Sequence, residues 1–300
     1  MMRDTKPKFL LLGSDGQVGR ELQRTLGLLG EVIPTTLSGH ESLRLDLLDT
    51  KTVIATVEQT RPDYIINAAA HTAVDKAETE IQLSRQLNAD VPELLGQLAV
   101  DMGAAVIHYS TDFVFDGASD RPYREEDEPA PLSIYGKTKL EGEQRLLATG
   151  ADALVLRTSW VYGNYGHNFM LTMMRLFKEK GQLSVVDDQI GAPTWSRMIA
   201  EATAQIIHKA PRLSPDSPSP YGLYHLTAAG ETSWYGFALR ILALMGESCT
   251  IQPVPTADYP TPAKRPAYSV LDNNKLKRTF GLQLPDWGLS LQQCIADRAS

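Results

Sequence analysis

The segment Phe9-Leu-Leu-Leu-Gly13-Ser-Asp-Gly16-Gln-Val-Gly19 constrains this chain more than any other. Its run of apolar residues reads as a strand buried on both faces, the pattern of a parallel sheet. Glycines spaced G-x-x-G-x-x-G follow at once, and Val18, Leu22 and Leu26 then recur with helical period. A strand, a glycine turn and a helix in that order are what a dinucleotide site needs. Glycine lets the backbone approach a pyrophosphate, and the helix N-terminus offers unpaired N–H groups and the positive end of its dipole. An ordinary Gly-rich turn is the alternative. The cofactor reading makes Gly13, Gly16 and Gly19 the cradle, with Asp15, Gln17 and Val18 beside them.

Strands alternate with helices through the N-terminal half. Strands are expected at 31–34, 63–67, 104–109 and 154–157, with helices over 51–59 and over 80–102, the latter kinked or restarted near Pro92. This rhythm predicts an α/β fold, a Rossmann-type doubly wound parallel sheet with right-handed crossovers. Ligands of such sheets bind at the C-terminal ends of the strands. The glycine turn, Asn67 with Ala68, Ala69 and Ala70, and Thr111 should therefore share one crevice. Past 157 the rhythm weakens to short strands at 183–186 and 222–226 and an amphipathic helix over 233–245. We expect a dinucleotide-binding domain over 1–165, with some later segments returning to it, and a smaller, mainly substrate-binding domain over 166–300. Residues 116–133 read as a long polar loop, either functional or disordered, and 211–220 as a surface linker.

Composition narrows the partners. The 300 residues are 43% hydrophobic and 22% charged with a formal net charge of −7, a soluble profile with no footprint for nucleic acid or an anionic membrane. No apolar run approaches the ~20 residues of a membrane helix. The start shows no signal-peptide core, so a cytoplasmic location is expected. Cys249 and Cys294 lack metal-ligand spacing and read as small apolar groups in a reducing compartment. His71, His108, His167 and His225 likewise read as structural or hydrogen-bonding, and no metal site is expected.

Tyr135-Gly-Lys-Thr-Lys139 places a phenol and an ammonium on one helix face, one turn apart. A phenol titrates near ~10, and a neighbouring ammonium would lower that value toward neutrality, suiting the pair to proton transfer. Thr111, at a strand end, can hydrogen-bond a carbonyl oxygen held by Tyr135; satisfying its own backbone is the alternative. Strand alternation turns Ser110 to the opposite face. Asp46, beside Leu47, or Asp49 can reach an adenine amino group, with a solvated loop as the other reading. Residues 34–39 contain no carboxylate for a ribose 2′-hydroxyl, and His40 and Arg44 could pair with a 2′-phosphate, which points to NADPH. Trp160, Tyr162, Asn168 and Phe169 could cover a base or sugar, or pack between domains. Arg265, in a Pro-rich loop, suits a diphosphate, or is surface charge.

Assembled, these motifs resemble an extended short-chain dehydrogenase/reductase. Longer blocks narrow the resemblance: Asn67-Ala-Ala-Ala-His-Thr-Ala-Val-Asp-Lys-Ala-Glu78, Tyr109-Ser-Thr-Asp-Phe-Val-Phe-Asp-Gly117, Tyr135-Gly-Lys-Thr-Lys-Leu-Glu-Gly-Glu143, Arg157-Thr-Ser-Trp-Val-Tyr162, Asp188-Gln-Ile-Gly-Ala-Pro-Thr194 and the Pro-Thr-Pro-Ala-Lys-Arg-Pro run ending at 266. Spread over nearly the whole chain, they resemble the dTDP-4-dehydrorhamnose reductase family. The resemblance implies reduction of the 4-keto group of dTDP-6-deoxy-L-lyxo-4-hexulose, the last step of dTDP-L-rhamnose synthesis, with NADPH or NADH. It implies that Tyr135 donates the proton, that Lys139 supports it and binds the nicotinamide ribose, and that Thr111 holds the substrate carbonyl. Asp112, Phe113, Trp160, Asn168 and Arg265 would line the sugar-nucleotide site, Phe113 standing where relatives often carry Tyr. Some members are Mg2+-bridged homodimers that use acidic residues. Here Ser196-Arg197 stands where a carboxylate is expected, which argues against the metal bridge and leaves a homodimer open. Two rival readings remain. One is a nucleotide-sugar epimerase or 4,6-dehydratase, although a dehydratase needs Asp then Glu after the Thr and this chain has Asp112-Phe113. The other is a non-catalytic regulatory subunit like that of methionine adenosyltransferase.

Overall fold

The computed structural model describes residues 6–210 and 219–299. The linker expected over 211–220 lies largely outside these residues, as does the start read for a signal segment. The apolar run after Pro7 forms β1 (Lys8–Leu12), followed by α1 (Gln17–Leu26) and β2 (Glu31–Thr36). Then come β3 (Leu43–Arg44), α2 (Thr50–Thr60), β4 (Tyr64–Asn67), α3 (Val74–Ala77), α4 (Ile81–Arg85), α5 (Val91–Met102), β5 (Ala105–Thr111), α6 (Ile134–Ala148) and β6 (Asp152–Thr158). With the later strand Gly222–His225 they make a seven-stranded sheet, ordered Gly222–His225, β6, β5, β4, β1, β2, β3. Every pairing in it is parallel.

That order places the site. The chain lays β2 and β3 on one side of β1, then crosses to the other side for β4, β5 and β6. The reversal leaves a crevice beyond the C-terminal ends of β1 and β4, the switch point of a doubly wound sheet. Burial on both faces explains why β1 reads as an unbroken apolar run. Phe9 and Leu11 pack with Leu22 and Leu26 of α1 and Ile199 of the helix Ser196–Lys209. Leu10 and Leu12 pack on the other face with Val53 and Val57 of α2, Leu95 of α5 and Leu146 of α6. A separate core gathers Met170, Phe177, Phe237, Ile241 and Leu291 beside a parallel pair of strands, Gln182–Val186 and Thr250–Val254. The sheet and the helix Ser196–Lys209 thus both draw on chain beyond 165.

One local feature differs from the sequence reading, and two others are sharpened. The strand at 63–67 is the fourth, because the two exposed residues of β3 carry no apolar signal. The helix expected over 80–102, kinked or restarted near Pro92, is interrupted by a π-helical turn, Gln86–Asp90, and restarts at Val91. Pro92 sits in the first turn of α5, where its missing N–H costs nothing, so it marks the restart and the π turn makes the break. That turn buries Asn88, which accepts from the His71 backbone N–H (2.8 Å) and donates to Thr138 Oγ1 of α6 (3.1 Å). Gly142 lets α6 press on this turn, since a Cβ there would lie 1.9 Å from the Asn88 carbonyl oxygen. The helix carrying Tyr135 and Lys139 is therefore held closely in place. Finally, the 116–133 loop is ordered: Tyr123 stacks on Phe115 at 4.1 Å and its backbone N–H donates to Val270.

Candidate active site

The glycine turn is shaped for close approach. Gly13 adopts φ +73°, and a Cβ on it would meet the Ala69 backbone at 2.9 Å. A Cβ on Gly19 would lie 2.1 Å from the Gly13 carbonyl oxygen. Gly16 caps α1 without a side-chain hydrogen bond, and no acidic residue occupies the first turn. The leading N–H groups of α1 are thus left for an anion. Ala68, Ala69 and Ala70 leave β4 across from this turn, partly buried. These residues fit a dinucleotide pyrophosphate. Farther along the crevice, Arg44 packs on Gly39 just past β2, beside the hydroxyls of Thr36 and Ser42, which bond each other at 2.7 Å. Asp49 is not free for an adenine, because it caps α2 by accepting from Lys51 and Thr52. Asp46 is exposed and accepts from the Leu48 backbone at 3.0 Å, with Leu47 half-buried beside it.

Thr111 ends β5 and caps the turn Asp112–Val114; its hydroxyl accepts from Phe113 N (3.2 Å) and donates to Asp112 Oδ1 (3.1 Å). α6 starts directly against that turn, because Gly136 has no Cβ to strike the Phe113 carbonyl oxygen, 2.2 Å from where it would stand. Ser133 caps the helix from the Gly136 N–H at 3.2 Å. This docking brings the half-buried Tyr135 edge-on to Phe113, with ring centroids 5.7 Å apart. Burial pushes the Tyr135 phenol up to about 12, against the hydrogen bond with the Thr111 hydroxyl that pulls it down. Burial likewise lifts the Asp112 carboxyl to about 7, against hydrogen bonds from Ser269 and Thr111.

Lys139 departs from the expectation. Its ammonium does not lower the Tyr135 phenol in this structure. The side chain is buried, and Nζ donates to the Tyr109 carbonyl oxygen at 2.6 Å and lies 3.2 Å from His108 Nε2. The spacing places Tyr135 and Lys139 on one helix face as expected, but the longer Lys139 side chain turns inward to β5. His108, read from sequence as structural or hydrogen-bonding, is in contact through both ring nitrogens, with Asn67 Nδ2 at 3.1 Å and Lys139 Nζ at 3.2 Å. The available signal was a titratable residue inside an otherwise apolar strand.

The remaining candidates divide. Asn168 caps the helix Phe169–Glu179 through Oδ1 and donates from Nδ2 to Gln17 Oε1 (2.8 Å) and to the Gly163 carbonyl (2.9 Å). It ties the glycine turn to the second core, and its amide is committed there. Trp160 takes φ +46° and stacks on Trp234 at 3.5 Å, with its ring over Gly191. Trp234 is a neighbour of the site that sequence reading missed. Arg265 is half-buried and pairs with Asp75 at 2.8 Å while donating to the Ala263 carbonyl. Asp75 was also missed; it lies in the Asn67–Glu78 block on α3. A separate cavity of 310 Å³, lined by residues including Thr227, Glu231, Asn273 and Lys277, holds none of the candidates.

No group of His, Cys, Asp and Glu among the described residues is arranged for a metal. Arg197 donates to Asp297 at 2.7 Å and 2.8 Å and to buried Glu21 at 3.1 Å. The chain's own guanidinium occupies the space between these carboxylates, so they do not fit a divalent ion. Nor is any helix among the described residues long and apolar enough to cross a membrane.

A family model described as the RmlD substrate binding domain matches residues 7–300. The chain belongs to this family. Among curated relatives, the dTDP-4-dehydrorhamnose reductase of Burkholderia thailandensis is 43% identical over 301 residues, covering 98% of this chain and 99% of that protein. The Escherichia coli K12 protein of the same name is 44% identical over 293 residues, covering 96% of each. Among solved structures, the Bacillus anthracis dTDP-4-dehydrorhamnose reductase in complex with NADP superposes with a TM-score of 0.90 at 34% identity, covering 98% of this chain and all of that one. Membership in the RmlD family confirms the resemblance read from the sequence blocks, and the doubly wound parallel sheet is the fold expected.

Proposed function

We propose that this protein reduces the 4-keto group of dTDP-6-deoxy-L-lyxo-4-hexulose to give dTDP-L-rhamnose, with NADPH as the preferred nicotinamide cofactor, in the cytoplasm. The observation that carries this reading is the half-buried Tyr135 phenol, pushed up to about 12 by burial, beside the Thr111 hydroxyl at the mouth of a dinucleotide crevice. A ketone takes up a hydride at carbon and a proton at oxygen. The nicotinamide, when bound, supplies the hydride. Tyr135, kept protonated at neutral pH, donates its proton to the substrate oxygen, and the phenolate recovers one from solvent. Thr111 turns its hydroxyl from Asp112 to that oxygen and fixes the ketone in line. Lys139 lies one turn behind Tyr135 and is the residue that would hold the nicotinamide ribose when the cofactor is bound. Arg265, held by Asp75, offers its guanidinium to the substrate diphosphate.

Consumption of NADPH on addition of dTDP-6-deoxy-L-lyxo-4-hexulose, one equivalent for each dTDP-L-rhamnose formed, tests the reading. Purified protein that consumes no cofactor with this substrate would overturn it. Cofactor preference follows from the turn after β2. With Arg44 packed on Gly39 and no carboxylate at 34–39 to repel a 2′-phosphate, kcat/KM with NADPH should equal or exceed that with NADH. A strong preference for NADH would place the ribose pocket elsewhere. Because Arg197 already neutralises Glu21 and Asp297, removal of Mg2+ with a chelator should leave the rate unchanged. A chelator-sensitive rate restored by Mg2+ would show that a metal is bound after all.

A further inference from the structure

We propose that the protonation of Lys139 is set by two buried neighbours acting in opposite senses, His108 on β5 and Glu143 on α6, and that Asn67 controls the first by fixing the His108 tautomer. The proposal deepens the reading of Lys139 as part of the reduction site. Asn67 Oδ1 accepts from the Ala69 backbone N–H at 3.3 Å, which turns its Nδ2 toward His108 Nδ1 at 3.1 Å. An amide N–H can only donate, so Nδ1 must present a lone pair. Burial, and then the charge of Lys139, keep the imidazole neutral at ordinary pH. Its one proton is therefore on Nε2, aimed at Lys139 Nζ 3.2 Å away. Two N–H donors do not bond. The contact is a hydrogen bond only when Lys139 is a neutral amine that accepts from Nε2–H, so His108 favours the amine.

Glu143 acts the other way. It lies one turn beyond Lys139 on α6, and its carboxylate is held inside the protein by Arg157 at 2.9 Å and 2.7 Å. A fixed buried anion favours the ammonium. Burial brings Lys139 down to about 8, and Glu143 opposes that fall. Of the other charged groups on elements packed against α6, Arg85, Asp90 and Glu93 pair with Glu141 and Arg145 on its solvent side. Asp75 on α3 pairs with Arg265, and His71 pairs with Glu80. Tyr135 stands one turn before Lys139 on α6, and Asp112 lies just past the end of β5 in the turn against which α6 starts. The Ala69 N–H that orients Asn67 belongs to the residue pressed against Gly13, so the pyrophosphate turn and Lys139 are joined through Ala69, Asn67 and His108.

NMR on the ligand-free protein tests this without reference to turnover. In 15N-histidine-labelled protein, His108 should carry its proton on Nε2. In Asn67→Asp the carboxylate accepts from Nδ1–H, the tautomer reverses, and Nε2 accepts from the ammonium. The Lys139 midpoint, read from its Cε resonance in 13C-lysine-labelled protein and assigned through Lys139→Met, should then rise by about one pH unit. Glu143→Gln should lower it by a similar amount. A new charge near Lys139 would raise the midpoint without moving the proton on His108, so the tautomer separates the two effects. Observation of Nδ1–H in the unmodified protein, or of shifts that share one sign or are absent, would overturn the proposal. If Glu143→Gln does not fold with Arg157 left unpaired, the tautomer and the Asn67→Asp shift decide alone. Failure of the reductase assay would leave these readouts intact, so the two readings fail separately.

Discussion

Tyr135→Phe should lower kcat by about 10²–10⁴-fold, the usual worth of a positioned general acid, while the protein still binds NADPH. The substitution keeps the ring, and with it the edge-on contact to Phe113 at 5.7 Å. It removes only the hydroxyl that meets Thr111. The pyrophosphate turn, on the far side of the crevice, is untouched. Burial holds the phenol at about 12, so Tyr135 is a proton donor throughout the neutral range and no phenolate is available to act as a base. With a folded-state value above the usual phenol value, the protonated form is lost only on the alkaline side. The falling limb of the kcat profile assigned to this group should therefore lie well above neutrality in the intact protein and vanish in the variant. Stopped-flow turnover with saturating cofactor would measure the loss. A variant that kept near-normal kcat would remove Tyr135 as donor and return the chain to a binding role.

The parts of this site that the sequence made legible share one physical origin. A parallel strand buried on both faces has to be an apolar run, so β1, β4 and β5 could be read directly. Glycines needed for close backbone approach leave a visible spacing. Gly13 and Gly19 sit where a Cβ would strike backbone at 2.9 Å and 2.1 Å, so their spacing records a real steric demand. What stayed hidden depends on side-chain reach across the fold. Helical spacing puts Tyr135 and Lys139 on one face but does not say where a long ammonium side chain ends. It ends on the Tyr109 carbonyl and beside His108, because β5 offers an acceptor in a buried setting that needs one. Asn168 looked like a ligand residue, yet its amide caps a helix and holds Gln17, a pairing between distant segments that no local pattern reveals. Trp160 and Trp234 stack at 3.5 Å for the same kind of reason.

Gly19→Ala should weaken cofactor binding by about 5- to 150-fold, from the roughly 1–3 kcal/mol that an extra methyl costs where backbone cannot yield. Gly19 lies in the first turn of α1, where alanine is otherwise the better helix former, so propensity alone predicts a gain. The contact decides against it. The added Cβ would stand 2.1 Å from the Gly13 carbonyl oxygen and 2.9 Å from Ser14 Cα. Gly13 cannot retreat, because its own Cα faces the Ala69 backbone across the crevice. The turn must therefore open away from α1, which moves its N–H groups off the line along which they would meet a pyrophosphate. Gly181→Ala is the control, since an added Cβ there meets nothing within 4 Å; it should leave affinity unchanged. Calorimetric titration with NADP+ on both variants measures the difference, and thermal unfolding shows whether Gly19→Ala remains folded. Affinity unchanged in a folded Gly19→Ala protein would mean that the pyrophosphate does not lie on this turn. The dinucleotide reading of the glycine spacing would then have to be abandoned for this chain.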